Sequence, residues 1–225
     1  MKVYLASPGT QQQAQQVQGM PVLLSFALYS KWQDQYAPGY GKILIDSGAY
    51  SEMNSGAKVD LDAYANFAAR WEDRADAIAG LDDISGDWRR SLKNFERVGF
   101  PTFHDTDPEG LLPDLIDISR ARGNWLGIGL LPPRAGRSDF LRRTLARIPE
   151  DIHVHGWALR AYTKFGRLDS VDSTNWWRDA MKVRKDLPWL NYGECLEIVV
   201  KRYARESRII EPKNEQRDLF AVGGN

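Results

Sequence analysis

The stretch ILIDSGAYSEMNSG, residues 43–56, shows the pattern on which the fold of this chain depends. Residues 43–45 form a continuous apolar run, which is typical of a strand that is buried on both faces. The run ends on Asp46, and residues 47–50 follow as a small turn that contains glycine and tyrosine. A strand that needs only to stop does not require a carboxylate at its end. We therefore expect Asp46 to take part in chemistry.

Similar apolar runs recur along the chain and predict eight strands. They lie at 3–7, 22–26, 43–46, 77–82, 102–105, 126–131, 152–158 and 169–173. Stretches with helical spacing of apolar residues separate them, so we expect eight helices in strict alternation with eight strands. This order predicts an α/β fold, the (β/α)8 TIM barrel. An open doubly wound sheet is the alternative, although no G-x-G-x-x-G motif follows the first strand.

The length of 225 residues suits one compact domain, which we place at residues 1–210, followed by a C-terminal tail at residues 211–225. Thirty Lys and Arg balance thirty Asp and Glu. The net charge therefore does not indicate a nucleic-acid-binding protein, although it leaves room for a local basic surface. The single cysteine, Cys195, excludes an internal disulfide and argues against a cysteine-based zinc site.

The sequence gives no sign of membrane contact. No apolar run approaches the roughly 20 residues that a membrane-spanning helix needs. The first ten residues, MKVYLASPGT, resemble a first strand and lack the long apolar segment of a signal peptide. We expect a cytoplasmic protein, or one in the host cytoplasm if a phage encodes it.

Carboxylates lie at the ends of three predicted strands: Asp46, Asp82 and Asp172. In a barrel of this type the functional residues lie at the C-terminal ends of the strands. Any one of these aspartates is equally well explained as the cap of the helix that follows it. Three together at one face of the barrel favour a site.

Histidines lie on two further predicted strands. His104 lies on strand five, and His153 and His155 lie on strand seven. We expect one residue of the second pair to reach the site and the other to pack outward. A catalytic metal needs more ligands on neighbouring strands than these three histidines supply, so we expect no metal.

Five motifs resemble those of the tRNA-guanine transglycosylases and their archaeal and phage relatives. In the family's order they are IDSGAYS (45–51) for D-S-G-G-[FY]-Q, AGLDD (79–83) for the strand ending on the base-binding aspartate, GIGLL (127–131) for G-G-L-A-V, HVHGWA (153–158) for H-x-x-G-[IVL]-G, and LDSVDSTNW (168–176) for the F-D-[CS] region. The family has a (β/α)8 barrel. The resemblance covers residues 43–176, which is over half of the chain.

The chain departs from the tRNA enzymes of this family because it is much shorter and lacks their Cys₃His zinc insertion. It looks most like the compact zinc-free phage and bacterial relatives that insert 7-deazaguanines into DNA. The resemblance implies exchange of guanine for a 7-deazaguanine base such as preQ0, without a cofactor. It implies nucleic acid as the partner, with DNA favoured over tRNA. A tRNA-guanine transglycosylase and a nucleoside or glycoside hydrolase on the same barrel are the alternatives, and a non-catalytic binding module is a third.

The resemblance also assigns roles to the aspartates. Asp172 is implied as the nucleophile that holds the sugar, with Asp169 as the fallback. Asp46 is implied as the general acid and base for the exchanging purines. Asp82 is implied as the acceptor of hydrogen bonds from the N–H edge of the base, which suits a group that is acceptor-only.

Further residues are implied as contacts of the substrate. The base is expected to meet the small turn with its aromatic residue, backbone N–H groups at the end of strand six, and the end of strand seven: Ser47, Gly48, Tyr50, Gly129, Leu130, His155 and Gly156. The nucleic acid is expected to contact basic and aromatic residues after strands six and eight: Arg134, Arg137, Trp176, Trp177 and Arg178.

Overall fold

A computed structural model describes residues 1–51, 58–130 and 136–209. These residues contain all eight of the predicted strands. The strands are β1 (Lys2–Ala6), β2 (Pro21–Ser25), β3 (Lys42–Asp46), β4 (Ala77–Ile78), β5 (Thr102–His104), β6 (Trp125–Gly129), β7 (His153–Gly156) and β8 (Ser170–Ser173). The predicted tail at residues 211–225 lies outside the described residues.

The eight strands form one parallel sheet in the order β4-β3-β2-β1-β8-β7-β6-β5. The two ends of this sheet meet, because a parallel bridge joins Ala79 to Phe100. The N–H of Gly80 donates to the carbonyl of Phe100, and the N–H of Phe100 donates to the carbonyl of Ile78, each at 2.8 Å. The sheet is therefore a closed barrel, the predicted (β/α)8 fold is confirmed, and the open sheet is excluded.

Seven α-helices surround the barrel within the described ranges. They are α1 (Gln11–Gln16), α2 (Leu61–Ala69), α3 (Trp88–Phe95), α4 (Leu112–Ala121), α5 (Arg137–Leu145), α6 (Trp176–Asp186) and α7 (Tyr192–Ile209). A further helical turn begins at residue 49, directly after β3. No helix in these ranges is both long enough and apolar enough to cross a lipid bilayer.

The expectation of strict alternation is wrong at two connections. Three short 3₁₀ helices, Phe26–Leu28, Lys31–Gln35 and Ala37–Gly39, replace an α-helix between β2 and β3. One 3₁₀ helix, Arg160–Phe165, replaces the α-helix between β7 and β8. Proline and glycine interrupt the first connection, and the 3₁₀ helix of the second ends at Gly166, which has a φ of +75°.

The core lies in two layers, because alternate strand residues point into the barrel and out toward the helices. The larger layer packs the outer faces of the strands against the helices. The inner layer is a small apolar cluster that consists of Tyr4, Ala6, Leu23, Leu44, Ala79 and Phe100. Beside it, Thr102, His155 and Ser170 are buried polar residues of the barrel interior. The barrel floor is therefore partly polar on the side of β5 to β8.

Candidate active site

Three aspartates come together at the C-terminal mouth of the barrel, and we call Asp46, Asp82 and Asp172 the aspartate cluster. Burial raises the pKa of Asp46 to about 6, against the opposing effects of the Ser25 hydroxyl and the Gly48 N–H. The negative charges of Asp82 and Asp172 add a smaller contribution to this rise. Like charges at short range disfavour simultaneous ionisation. Asp46 is thus suited to carry a proton close to neutral pH.

Helix capping does not explain these aspartates. The caps of α2 and α3 are other residues, since Asp60 accepts from Ala63 N at 2.7 Å and Asp87 accepts from Arg90 N at 3.2 Å. The N-cap of α6 is Asn175, and its side chain makes no cap hydrogen bond. Capping of α2, α3 or α6 therefore does not account for the aspartate cluster, and its contact with a ligand stays a prediction.

The turn after β3 shapes the surroundings of Asp46. Gly48 has a φ of +84° and a Cβ there would overlap Ala27, so this position requires glycine. Ser47 is buried, and its hydroxyl accepts a hydrogen bond from Ala49 N at 3.4 Å. This side chain is enclosed within the turn, so a contact of Ser47 with substrate would involve its backbone, and this contact stays a prediction. Tyr50 is 65% exposed and remains a candidate for stacking on a ligand.

A histidine that the sequence analysis did not assign to the site pairs with Asp82. Nε2 of His104 lies 2.6 Å from Oδ2 of Asp82, although the two residues belong to different strands. Burial lowers the pKa of His104, but the hydrogen bond and charge of Asp82 outweigh it and raise the pKa above the usual value. The imidazole therefore fixes the orientation of Asp82. The position of His104 at the end of predicted strand five was the sequence feature that could have assigned it to the site.

The glycine at the end of β6 makes room for this histidine. A Cβ at Gly129 would overlap Nδ1 and Cε1 of His104, so the ring lies directly against the glycine backbone. The carbonyl of Gly129 accepts from Asp105 N at 3.3 Å, and Leu130 is half-buried beside it. Packing of the His104 ring explains Gly129 directly, and contact of a base carbonyl with this backbone stays a prediction.

Gly129→Ala should destabilise the protein by about 1–3 kcal/mol, because the new methyl group displaces the His104 ring from a close-packed position. The free energy of unfolding in urea measures this effect. Gly110→Ala is the matched control, since a Cβ at Gly110 meets no atom within 4 Å. Equal stability of the two variants would contradict the close packing of His104 on Gly129.

Asp172 lies at the opposite side of the mouth and is held by a backbone N–H. Its Oδ1 accepts from Ala158 N at 2.7 Å, and Ala158 has the unusual φ of +54°. Positive φ at a residue other than glycine is strained and concentrates at functional sites. Asp172 is also one of the residues that line a cavity of about 540 Å³. Polar residues that share this cavity are Arg160, Thr163, Ser173, Thr174, Asn175 and Glu206.

Two predictions for strand seven are wrong. His153 and His155 both point into the barrel, because residues two apart on a strand share a face, and both contact Ser170. His155 is fully buried beneath Asp172 and cannot touch a substrate directly. A Cβ at Gly156 would crowd Leu159 on the outer side of the strand, so packing explains this glycine, and contact of a base with its backbone stays a prediction.

Asp169, the fallback nucleophile, lies at the wrong end of the barrel. It immediately precedes β8, whereas Asp172 lies near the C-terminal end of that strand. The Asp169 carboxylate accepts from Val154 N at 2.8 Å and from Nη1 of Arg167 at 2.9 Å. It therefore has a structural role, and Asp172 is left as the candidate nucleophile.

The residues expected to contact nucleic acid fall into different environments. Trp176 is fully buried, and its Nε1–H donates to the carbonyl of Ala6 at 3.0 Å, so its predicted stacking on a base is wrong. Trp177 is half-buried, and the exposed guanidinium of Arg178 lies 5.0 Å from its ring centroid. Arg137 begins α5 on the mouth side of the barrel. Arg134 lies outside the described residues.

A second cavity, of about 240 Å³, opens beside Asp82. Its other lining residues include Ala49, Lys58, Leu81, Asp83, Arg90 and Asn94. This volume is sufficient for a flat purine-sized base. Within the described parts of the chain, no group of three or more His, Cys, Asp or Glu side chains is arranged to hold a metal ion.

Comparison with known proteins does not assign this chain to a family. No family model matches the chain, and no curated protein sequence matches it. One solved structure with a similar chain path is the YdjI aldolase from Escherichia coli K12. It shares 8% sequence identity, covers 95% of this chain and 92% of its own, and has a TM-score of 0.39. A likeness at this level carries no argument about activity.

Proposed function

We propose that the protein is a base-exchange transglycosylase that replaces guanine in nucleic acid, DNA in preference to tRNA, with a 7-deazaguanine base such as preQ0. The observation that carries this proposal is the aspartate cluster, in which three carboxylates have three different environments. Asp46 is suited to hold a proton, Asp82 is oriented by His104, and Asp172 is held by the Ala158 N–H. Carboxylates whose environments differ in this way can divide acid, base and nucleophilic work.

In the first half of the reaction, a carboxylate oxygen of Asp172 attacks C1′ of the target nucleotide. The C1′–N9 bond breaks, its electron pair goes to guanine, and Asp46 delivers its proton to the leaving base. The transition state has oxocarbenium character, which the neighbouring carboxylates stabilise. The product is a sugar ester of Asp172 together with free guanine.

In the second half, the incoming deazaguanine occupies the place of guanine. Asp46, now a carboxylate, takes the N9 proton, and N9 forms a bond to C1′. The ester bond breaks and its electron pair returns to Asp172. Two displacements at C1′ retain the configuration of the sugar. The covalent ester conserves the energy of the glycosidic bond, so the exchange needs no cofactor.

The surroundings of Asp82 also support the proposed base exchange, because the cavity beside this residue is suited to a purine base. Its carboxylate is an acceptor for the N1–H and 2-amino hydrogens that guanine and preQ0 share. The pairing with His104 holds that carboxylate in one orientation, as a base-reading group requires.

The test is incubation of the protein with labelled guanine or labelled 7-cyano-7-deazaguanine and either duplex DNA or tRNA. Uptake of label into DNA supports the proposal, and uptake into tRNA alone assigns the protein to the tRNA enzymes. Release of guanine without uptake of label indicates a hydrolase that uses the same carboxylates. If neither polymer takes up label or loses guanine, the proposal is wrong.

A further inference from the structure

A chain of polar side chains lies beneath Asp172, inside the wall formed by β7 and β8. Oγ of Ser170 lies 2.9 Å from Nδ1 of His155 and 2.9 Å from Nε2 of His153. Nε2 of His155 lies 3.6 Å from Oδ1 of Asp172 and has no hydrogen-bond partner among the described residues. His155 and Ser170 are both fully buried, so bulk solvent does not screen these groups.

Hydrogen-bond counting assigns a direction to this chain. A hydroxyl group has one hydrogen, so Ser170 donates to one imidazole nitrogen and accepts from the other. If Nε2 of His155 carried no hydrogen, its lone pair would face a carboxylate oxygen in a buried site, which is unfavourable. Ser170 therefore donates to Nδ1 of His155, and Nε2 of His155 carries its hydrogen toward Asp172.

His153 completes this arrangement at the lower end. Its Nε2 faces the oxygen of Ser170 and donates to it, since the Ser170 hydrogen is already used. The pKa of His153 is lowered to about 4, chiefly by burial. The charge of Asp169 opposes this change, whereas His155, Lys2 and Arg167 add to it. The ring is thus neutral at pH 7 and has a single proton, which the contact with Ser170 places on Nε2.

We propose that His155 is a positioning residue for Asp172, and that Ser170 sets the tautomer that points the Nε2–H at the carboxylate. This inference rests on the proposed function, because it concerns Asp172 as nucleophile and leaving group. The Nε2–H interacts most strongly with the free carboxylate, whose negative charge is lost when the sugar ester forms. It therefore stabilises the carboxylate that develops as the ester breaks, and His155 favours release of the sugar over accumulation of the ester.

The kinetic experiment compares His155→Leu with His155→Gln. Protein and nucleic acid are mixed, the covalent adduct is quantified on a denaturing gel, and unlabelled 7-cyano-7-deazaguanine is added to chase it. His155→Leu should slow adduct release by about tenfold or more, as expected for loss of one donor to a developing charge, and adduct should accumulate. His155→Gln places an amide N–H in the same region and should restore release to within a few fold of the original protein.

Ser170→Ala should slow release less than His155→Leu, because the Nε2–H tautomer is then unassisted but not excluded. Ser119→Ala is the matched control, since Ser119 is equally buried but lies on α4, where its hydroxyl bonds only to Leu115 O at 2.7 Å. The inference is overturned if His155→Leu releases adduct at the original rate, or if it slows adduct formation and release by the same factor, as a general structural defect would.

A second measurement separates this inference from the proposed function. Nitrogen-15 NMR of labelled histidine reports which ring nitrogen of His155 carries hydrogen, and it needs no substrate. The Nε2–H tautomer is expected in the original protein, and loss of tautomer preference is expected in Ser170→Ala. An Nδ1–H tautomer in the original protein overturns the inference even if exchange occurs. Absence of any adduct in the original protein instead contradicts the proposed function, and with it the catalytic role of Asp172.

Discussion

Asp172→Asn should reduce base exchange by at least about 10³-fold, which corresponds to about 4 kcal/mol of activation free energy. The neutral amide is a poor nucleophile, whereas its carbonyl oxygen can still accept the hydrogen bond from Ala158 N. The fold should therefore persist while the covalent step is lost. Incorporation of labelled base and trapping of the adduct on a denaturing gel measure the two effects.

Asp169→Asn is the control for this experiment, because it makes the same chemical change three residues earlier on the same segment. Its carboxylate contacts Val154 and Arg167 below the barrel and should have no part in exchange. Exchange per folded molecule should stay within a few fold of the original value. An Asp172→Asn protein that still forms the adduct would remove Asp172 from the proposed mechanism.

Asp46→Asn should reduce exchange by about 10²–10⁴-fold, the usual contribution of a general acid or base. In the original protein, adduct formation should decline as the pH rises above about 6, because the pKa of Asp46 is about 6 and the first half requires its proton. The Asn variant should lose this decline. Single-turnover rates of adduct formation between pH 5 and 9 provide the measurement.

The same substitution should stabilise the protein at high pH. The pKa of Asp46 is raised on folding from the usual value of about 3.9, so the native state binds more protons than the unfolded state between about pH 4 and 6. The stability contributed by this proton is complete below pH 4 and is lost as the pH rises through 6. At pH 8, Asp46→Asn should therefore be more stable than the original protein by up to about 3 kcal/mol.

Urea unfolding of the variant and the original protein at pH 4 and pH 8 tests this effect. The difference between them should be small at pH 4 and favour the variant at pH 8. Asp117→Asn, a change at an exposed carboxylate on α4, should give the same small difference at both values. If Asp46→Asn were less stable than the original protein at pH 8, the charge of Asp46 would not destabilise the folded state.

Much of the architecture was predictable because apolar strand runs are visible in the sequence. The ends of those runs also located Asp46, Asp82 and Asp172, since a parallel barrel brings the ends of all strands to one face. The two 3₁₀ connections were not predicted. The first contains Pro38, Gly39 and Gly41, which disfavour an α-helix, and the second contains Gly166 in the left-handed conformation, which ends its 3₁₀ helix.

The pairing of side chains could not be read from the sequence. His104 and Asp82 are 22 positions apart, and only closure of the barrel between β4 and β5 makes them neighbours. Trp176 was assigned to the surface because a tryptophan in a basic segment suits a nucleic-acid contact. Its spacing from Ala180, one helical turn away and also fully buried, was the signal that it faces the core.

The closure between β4 and β5 has a consequence for the motion of the molecule. β4 contributes only two residues, and a single bridge joins its end to the segment before β5. A wall with so few hydrogen bonds opens before the rest of the barrel, so hydrogen exchange should be fastest at the amides of Gly80 and Phe100 among those of the inner wall. Asp82 and His104 form their hydrogen bond across this junction between β4 and β5. A ligand that binds Asp82 should therefore also change how readily β4 and β5 separate.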